Sequence, residues 1–272
     1  MSIQIPPFRI HPSACGQIMG LVGRPTDKQL ATIGELQAKP KLTDIQQATL
    51  NDLIAKRDAP PQLTEGAKTY CKQWLKEKLY ARRKEFSNKY TEKGITCEPA
   101  GIELLAQYMG YGLIAKNETF YQNDWMVGTP DVVLSDIIEE IKNSWSCFTF
   151  PLFEQVIPDM DYEYQVQCYM ELTGKKKAAV NYVLIDAPLE IMDAEARRVW
   201  YKAGNNGDVD MECYDEVYAK MTYPNIPMEL RIKRFTYDYQ PAIIETIKSR
   251  VELCREYINS IMPSQDVLDK LN

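Results

Sequence analysis

Gly128-Thr129-Pro130-Asp131-Val132-Val133-Leu134-Ser135-Asp136-Ile137-Ile138-Glu139-Glu140-Ile141-Lys142 reads as two short β-branched strands meeting at Ser135-Asp136. With those two residues as the loop, Leu134 pairs with Ile137, Val133 with Ile138, and Asp131 with Glu140. Two carboxylates then face each other with Cβ atoms about 4.5–5.5 Å apart, an arrangement that by itself destabilises a hairpin. Lys142 lies two residues beyond Glu140, so strand periodicity sends it to the same side. A pair of acids and a lysine at one end of an apolar hairpin suit a hard divalent cation, which takes oxygen ligands and cancels their repulsion. The plain alternative is a solvated strand edge. Ser-Asp is not a favoured type I′ pair, and a slip of one residue would flip one carboxylate to the opposite face.

Two further segments carry polar groups where such a site needs them. In Gly94-Ile95-Thr96-Cys97-Glu98-Pro99-Ala100-Gly101-Ile102, Pro99 fits the first turn of a helix running to about Gln107. Glu98 shares a stripe with Ile102, Leu105 and Met109, so an acid lies on an apolar face. An ordinary first-turn acid complementing the helix dipole would look the same. Asp161-Tyr162-Glu163-Tyr164-Gln165-Val166-Gln167-Cys168-Tyr169-Met170 is an amphipathic helix closed by Gly174. Gln165 and Tyr169 share a face there, with Tyr162 one turn before.

The order Gly-x-x-x-Glu (Gly94 to Glu98), Pro-Asp (Thr129-Pro130-Asp131), Glu-x-Lys (Glu140-Ile141-Lys142) and Gln-x-x-x-Tyr (Gln165 to Tyr169) resembles the PD-(D/E)XK nuclease superfamily. Within it the chain is most similar to the phage lambda exonuclease and YqaJ-type viral recombinase group. The four motifs cover roughly residues 90 to 175; each is weak alone, and four in order are specific. The resemblance implies an α/β restriction-endonuclease-like core with a mixed central sheet, helices on both faces and an N-terminal helical region. It also implies a Mg²⁺-dependent DNA nuclease, with Mn²⁺ able to substitute, acting as a 5′-to-3′ exonuclease on double-stranded ends. Asp131 and Glu140 would then hold one or two metal ions, with the Ile141 carbonyl and Glu98 completing the shell. Lys142 would place the attacking water and Gln165 would orient Lys142 or the water. Thr129 belongs to the substrate side of the second motif, and Tyr169 supports Gln165 or touches the DNA backbone. Arg9-Ile10-His11-Pro12-Ser13-Ala14 resembles the group's Ser-Ala start, in which an arginine and a serine hold the 5′-phosphate; the Arg9-to-Ser13 gap is shorter than that pattern. Implied partners are DNA, a single-strand annealing protein and further copies in a ring. An endonuclease on the same core, or a non-catalytic nucleic-acid-binding protein, are the alternatives. A small-phosphate-ester hydrolase lacks a Gly-rich phosphate loop here.

Composition bounds these readings. The 272 residues suffice for one large domain, divided as a helical N-terminal region (1–90), a motif-bearing core (91–190) and a C-terminal part of helices and an edge strand (191–272). There is no membrane-length apolar run and no signal-peptide pattern at Met1-Ser2-Ile3. Seven scattered cysteines point to reduced thiols in a cytoplasm, that of the host if the chain is phage-encoded. They also lack the clustering an iron–sulfur centre needs, and a single histidine, His11, argues against zinc.

The net charge of −6 is unevenly spread: Lys68 to Lys93 holds nine basic residues against Glu77, Glu85 and Glu92, which leaves −12 elsewhere. Lys68, Lys72, Lys76 and Arg83 fall on one helical stripe interleaved with Tyr70, Trp74 and Tyr80, suited to phosphate contacts, although such runs are commonly just solvated faces. Outward from these parts, the pattern predicts a helix over 9–22 capped at Ser13, an exposed connection over 24–40, and a helix over 44–57 ending before Pro60-Pro61. Further on it predicts strands over 119–126, 178–185 and 228–233. Residues 190–225 read as helical around a Gly204–Gly207 turn, and a last amphipathic helix covers 241–261.

Overall fold

The computed structural model describes residues 5–23, 25–84 and 89–270. In chain order, a 3₁₀ turn (Pro12–Ala14) precedes α1 (Gly16–Met19), β1 (Leu21–Val22), α2 (Asp27–Gln37), α3 (Asp44–Asp58), β2 (Gln62–Leu63) and α4 (Glu65–Leu79). Then follow α5 (Lys89–Met109), β3 (Tyr121–Gln122), β4 (Val127–Gly128), β5 (Val132–Val133), β6 (Ile137–Asn143), α6 (Asp161–Thr173) and β7 (Lys177–Val183). The chain closes with α7 (Leu189–Lys202), α8 (Met211–Met221), a 3₁₀ turn (Met228–Leu230), β8 (Ile232–Asp238), α9 (Pro241–Ser260) and α10 (Gln265–Leu268). It divides into two compact units: 1–8, 15–83 and 245–272 form one, and 9–14 with 84–244 form the other.

The first unit is helical. Thr26 and Thr43 each make a capping box with the glutamine three residues on, which starts α2 and α3. Ile33 and Leu36 of α2 bury against Leu50 of α3. This corrects the reading of 24–40 as an exposed connection; the Thr26–Gln29 box was its sequence signal. Residues 9–22 are not one helix either. Ser13 sits within the first 3₁₀ turn, Cys15 precedes α1 without a side-chain cap, and Leu21-Val22 pairs with Gln62-Leu63 instead of continuing the helix. The basic run is broken as well. α4 ends at Leu79, Ala81 takes a left-handed backbone (φ 49°), and Arg83 therefore leaves the stripe that Lys68, Lys72 and Lys76 share. Glu85 of the basic segment lies outside the described residues.

The second unit is built on a four-stranded mixed sheet in the order β5-β6-β7-β8, antiparallel except for the parallel β6–β7 pair. Alternation along β6 sends Ile138, Glu140 and Lys142 to one face and Glu139, Ile141 and Asn143 to the other. α5 covers the second face through Cys97, Ile102 and Leu105, packed with Ile141, Val183 and Ile232. α6 covers the first through Val166, Tyr169 and Met170, packed with Ile138, Val180 and Phe235. Gly101 permits the close approach of α5: a Cβ there would lie 3.0 Å from both Ile141 Cγ2 and Asn143 Oδ1. Gly174 closes α6 in the left-handed conformation (φ 75°), as expected.

Three expectations shift in this unit. Pro99 lies inside α5, which begins ten residues before it, so Glu98 is a mid-helix residue. Proline removes the hydrogen bond to the Ile95 carbonyl, and Ile95 is exposed, so water can serve that acceptor. The strand over 119–126 shrinks to Tyr121-Gln122, paired with Val127-Gly128. Met228–Leu230 forms the second 3₁₀ turn with Met228 and Leu230 exposed, and the strand begins at Ile232. The alternation there did not report burial. Among the described residues, no helix is long and apolar enough to cross a membrane.

Candidate active site

The hairpin has the expected register. Val132 pairs with Glu139 and Val133 with Ile138, and Leu134 donates to the Ile137 carbonyl, which makes Ser135-Asp136 the loop. Continuing the ladder puts Asp131 opposite Glu140. Asp131 Oδ2 accepts the Ile141 main-chain N–H at 2.8 Å. Burial first, then the Glu140 charge, pushes the Asp131 carboxyl up to about 8, against the opposing pull of that N–H and of Lys142.

Glu140 is 3% exposed. Its Oε1 accepts from Lys142 Nζ at 2.9 Å and from Gln165 Nε2 at 2.7 Å, while its Oε2 is buried with no hydrogen-bond partner among the described residues. Gln165 returns the contact by accepting from Lys142 Nζ at 2.9 Å, so Glu140, Lys142 and Gln165 form a closed triangle. The Lys142 ammonium also lies 4.3 Å from the centre of the Tyr162 ring. Burial pulls the pKa of Lys142 down, but Glu140 together with Tyr162 and Asp131 outweighs it and the net shift is upward, so the group stays cationic. Tyr169 is buried on the next turn, its hydroxyl 3.5 Å from Gln165 Nε2, and its pKa is raised by burial.

Glu98 reaches toward this cluster from α5; its charge is among those raising Asp131. Its Oε2 accepts from Lys116 Nζ at 2.8 Å, and its Oε1 is a second buried oxygen without a partner among the described residues. Among the described residues no three His, Cys, Asp or Glu side chains converge as a ready-made metal cage. The convergent donors are Asp131 and Glu140, with Ile141 next along the strand and Glu98 tied to Lys116 through Oε2 only.

The 3₁₀ turn Pro12–Ala14 sits near Tyr169: a Cβ on Gly128 would lie 2.8 Å from Pro12 Cδ and 3.2 Å from Tyr169 Cε1. Ser13 is exposed on that turn. Arg9 Nη1 donates to Gln122 at 3.0 Å, and Arg9 Nε is buried without a partner among the described residues. Thr129 is half-buried on the approach to Asp131. Lys72, Lys76 and Arg83 belong to the other compact unit. Lys93, the last residue of the basic segment, is buried in α5 and donates to the carbonyls of Ser144 and Trp145 at 3.0 and 2.9 Å. Its role is to hold the chain leaving β6.

Sequence reasoning missed Lys116 and Asn117. Asn117 donates its N–H to the Asp131 carbonyl at 2.7 Å and its amide to the Pro130 carbonyl at 3.1 Å, fixing the backbone of the second motif. Nothing in the local pattern marks a loop asparagine for that task. Glu139 was passed over too, though a second acid in a strand buried on both faces is itself a signal.

No protein-family model and no curated protein sequence matches the chain. Solved structures do. A phage-related exonuclease from Haemophilus somnus 129PT is 21% identical, with 94% of this chain and 96% of that one superimposed at a TM-score of 0.64. An alkaline exonuclease from Laribacter hongkongensis is 10% identical, with 93% and 88% covered at a TM-score of 0.54. The chain has the restriction-endonuclease-like fold of these exonucleases. The likeness runs nearly end to end, so it takes in both compact units of this chain as well as the motif-bearing sheet.

Proposed function

We propose that this protein is a divalent-metal-dependent deoxyribonuclease, a phage-type 5′-to-3′ exonuclease that resects double-stranded DNA ends in recombination, with residues 1–272 acting as one nuclease. The reading is carried by the two buried carboxylate oxygens without partners, Glu98 Oε1 and Glu140 Oε2, beside an Asp131 whose pKa is raised. Buried anionic oxygens left bare are costly, and a hard cation that takes oxygen donors is what removes the cost. Asp131, Glu140, the Ile141 carbonyl and Glu98 would hold Mg²⁺, or Mn²⁺ in its place. Such an ion, when bound, lowers the pKa of a water and neutralises charge on the scissile phosphate.

The remaining chemistry belongs to the side chains. Lys142, held as an ammonium by Glu140 and Gln165, is a donor rather than a base; it orients the attacking water and stabilises charge developing on the phosphate. Gln165 sets the direction of Lys142, and Tyr169 backs Gln165. Arg9 and the exposed Ser13 take the 5′-phosphate, with Thr129 alongside the strand being cut. Lys72, Lys76 and Arg83 add phosphate contacts on the other unit, which makes binding salt-dependent. Products carry 5′-phosphates. A single-strand annealing protein and a ring of like subunits are the partners this role entails, in the cytoplasm where the DNA is processed.

The test offers a 5′-phosphorylated linear duplex and the same DNA as a closed circle, in Mg²⁺, to the wild type and to Lys142→Ala. The proposal expects loss of the linear form only, abolished by the substitution. Cutting of the circle would replace exonuclease with endonuclease. Cleavage of neither, with Mg²⁺ or Mn²⁺, would overturn the nuclease reading for duplex DNA.

A further inference from the structure

Glu139 and Glu140 are neighbours on β6 whose side chains leave opposite faces of the sheet. Glu140 enters the acidic site, while Glu139 turns to the α5 side and is fully buried, at 0% exposure. Both of its oxygens are filled there. Arg234 approaches as a fork, with Nη1 at 2.5 Å from Oε2 and Nη2 at 2.8 Å from Oε1. Asn181 Nδ2 donates to Oε2 at 2.8 Å and the Tyr111 hydroxyl donates to Oε1 at 2.6 Å. Asn181 and Arg234 are register partners on β7 and β8, and Asn181 also reaches the Glu140 carbonyl at 3.3 Å. Three strands are thus cross-tied at the level of Glu140.

Stability does not call for this knot, because a buried ion pair is commonly no better than apolar residues of the same volume. Tyr111 shows what else it does. It lies just past α5 between Gly110 and Gly112, both in the left-handed region (φ 67° and 72°), and opens the loop leading to Lys116 and Asn117. Lys116 binds Glu98, and Asn117 binds the main chain at Pro130 and Asp131. The loop therefore touches two of the three acids and is tied at its start to the strand carrying the third.

We infer that Tyr111 is a positioning residue for the acidic site: through Glu139 it fastens the loop that places Glu98 and Asp131 to the strand that bears Glu140. The inference rests on the metal-dependent reading above and deepens it. Burial and the bond to Glu139 push the Tyr111 hydroxyl up to about 12, so it stays a donor throughout the neutral range.

Tyr111→Phe removes the hydroxyl, keeps the ring, and leaves Glu139 held by Arg234 and Asn181. Two quantities test it: the Mg²⁺ dissociation constant of the DNA-free protein, by calorimetry, and the Mg²⁺ concentration giving half-maximal cleavage of a linear duplex. Both should weaken by about tenfold, the low end of what partners outside the ligand shell contribute, while the rate at saturating Mg²⁺ holds. Tyr223→Phe, which loses a hydroxyl bonded to the Lys220 carbonyl at 3.4 Å, is the control; it should leave both constants unmoved. An unchanged Mg²⁺ dissociation constant in Tyr111→Phe, or a wild type that binds no Mg²⁺, overturns the inference. A weakened constant in a protein that cleaves no DNA keeps it and removes the nuclease reading.

Discussion

Asp131→Asn should make the metal-free protein more stable while destroying its activity. The carboxylates of Asp131 and Glu140 face each other across the end of the β5–β6 hairpin. With charges about 5 Å apart and an effective dielectric near 20, their repulsion is about 3 kcal/mol. Lys142, at 2.9 Å from Glu140 Oε1, already offsets part of it. An asparagine still offers an oxygen to the Ile141 N–H and adds an amide that can donate to a neighbouring acid. The expected net gain is therefore about 1–2 kcal/mol, or about 3–6 °C in Tm for a chain of this size.

The pH dependence separates this cause from better packing. The folded pKa of Asp131 is raised from 3.8 to about 8. A raised carboxyl contributes its stability below the unfolded value and loses it as pH rises through the folded one. The wild type should thus weaken across that window relative to Asp131→Asn. In a chelator the two should melt nearly together below about pH 4, separate as the pH rises, and diverge fully by about pH 9. Mg²⁺ should raise the Tm of the wild type far more than that of the variant, and cleavage should fall by about 100-fold or more with a ligand lost. Equal gains at both pH values, or a variant less stable than wild type at the higher one, would refute the repulsion argument.

Two further outcomes follow from the same sheet. Gly128→Ala places a methyl 2.8 Å from the rigid Pro12 ring and 3.2 Å from Tyr169, so it should cost about 1–3 kcal/mol in chemical denaturation; unaltered stability would contradict the close packing described. Arg234→Met strands Glu139 as a buried, unpaired anion and should cost about 3–5 kcal/mol. Adding Glu139→Gln should recover part of that, since the amide oxygen still accepts from Tyr111, and a double-mutant cycle with no coupling would show the pair to be energetically idle.

The parts legible in sequence were those in which local rules and burial agree. The hairpin register was readable because slipping it exposes Ile138 and buries charge, and α6 because Gly174 supplies a left-handed stop. α2 was missed because its apolar face is short, needing only Ile33 and Leu36 against α3; the cap at Thr26 spoke where periodicity did not. Pro99 misled because proline usually marks a helix start, whereas α5 continues through it with Ile95 on the exposed side. The supporting shell was out of reach for a deeper reason. Lys116, Asn117 and Tyr111 acquire their partners from loop geometry, and Arg234 meets Glu139 from 95 residues away. Yet Glu139 itself held a clue. A strand whose both faces are covered cannot carry two adjacent acids unless each has its own means of neutralisation. With Lys142 alone beside Glu140, the second acid required a cation or a dense set of donors from another strand. Arg234 is that cation, and the same reasoning applied to the bare oxygens of Glu98 and Glu140 asks for one more.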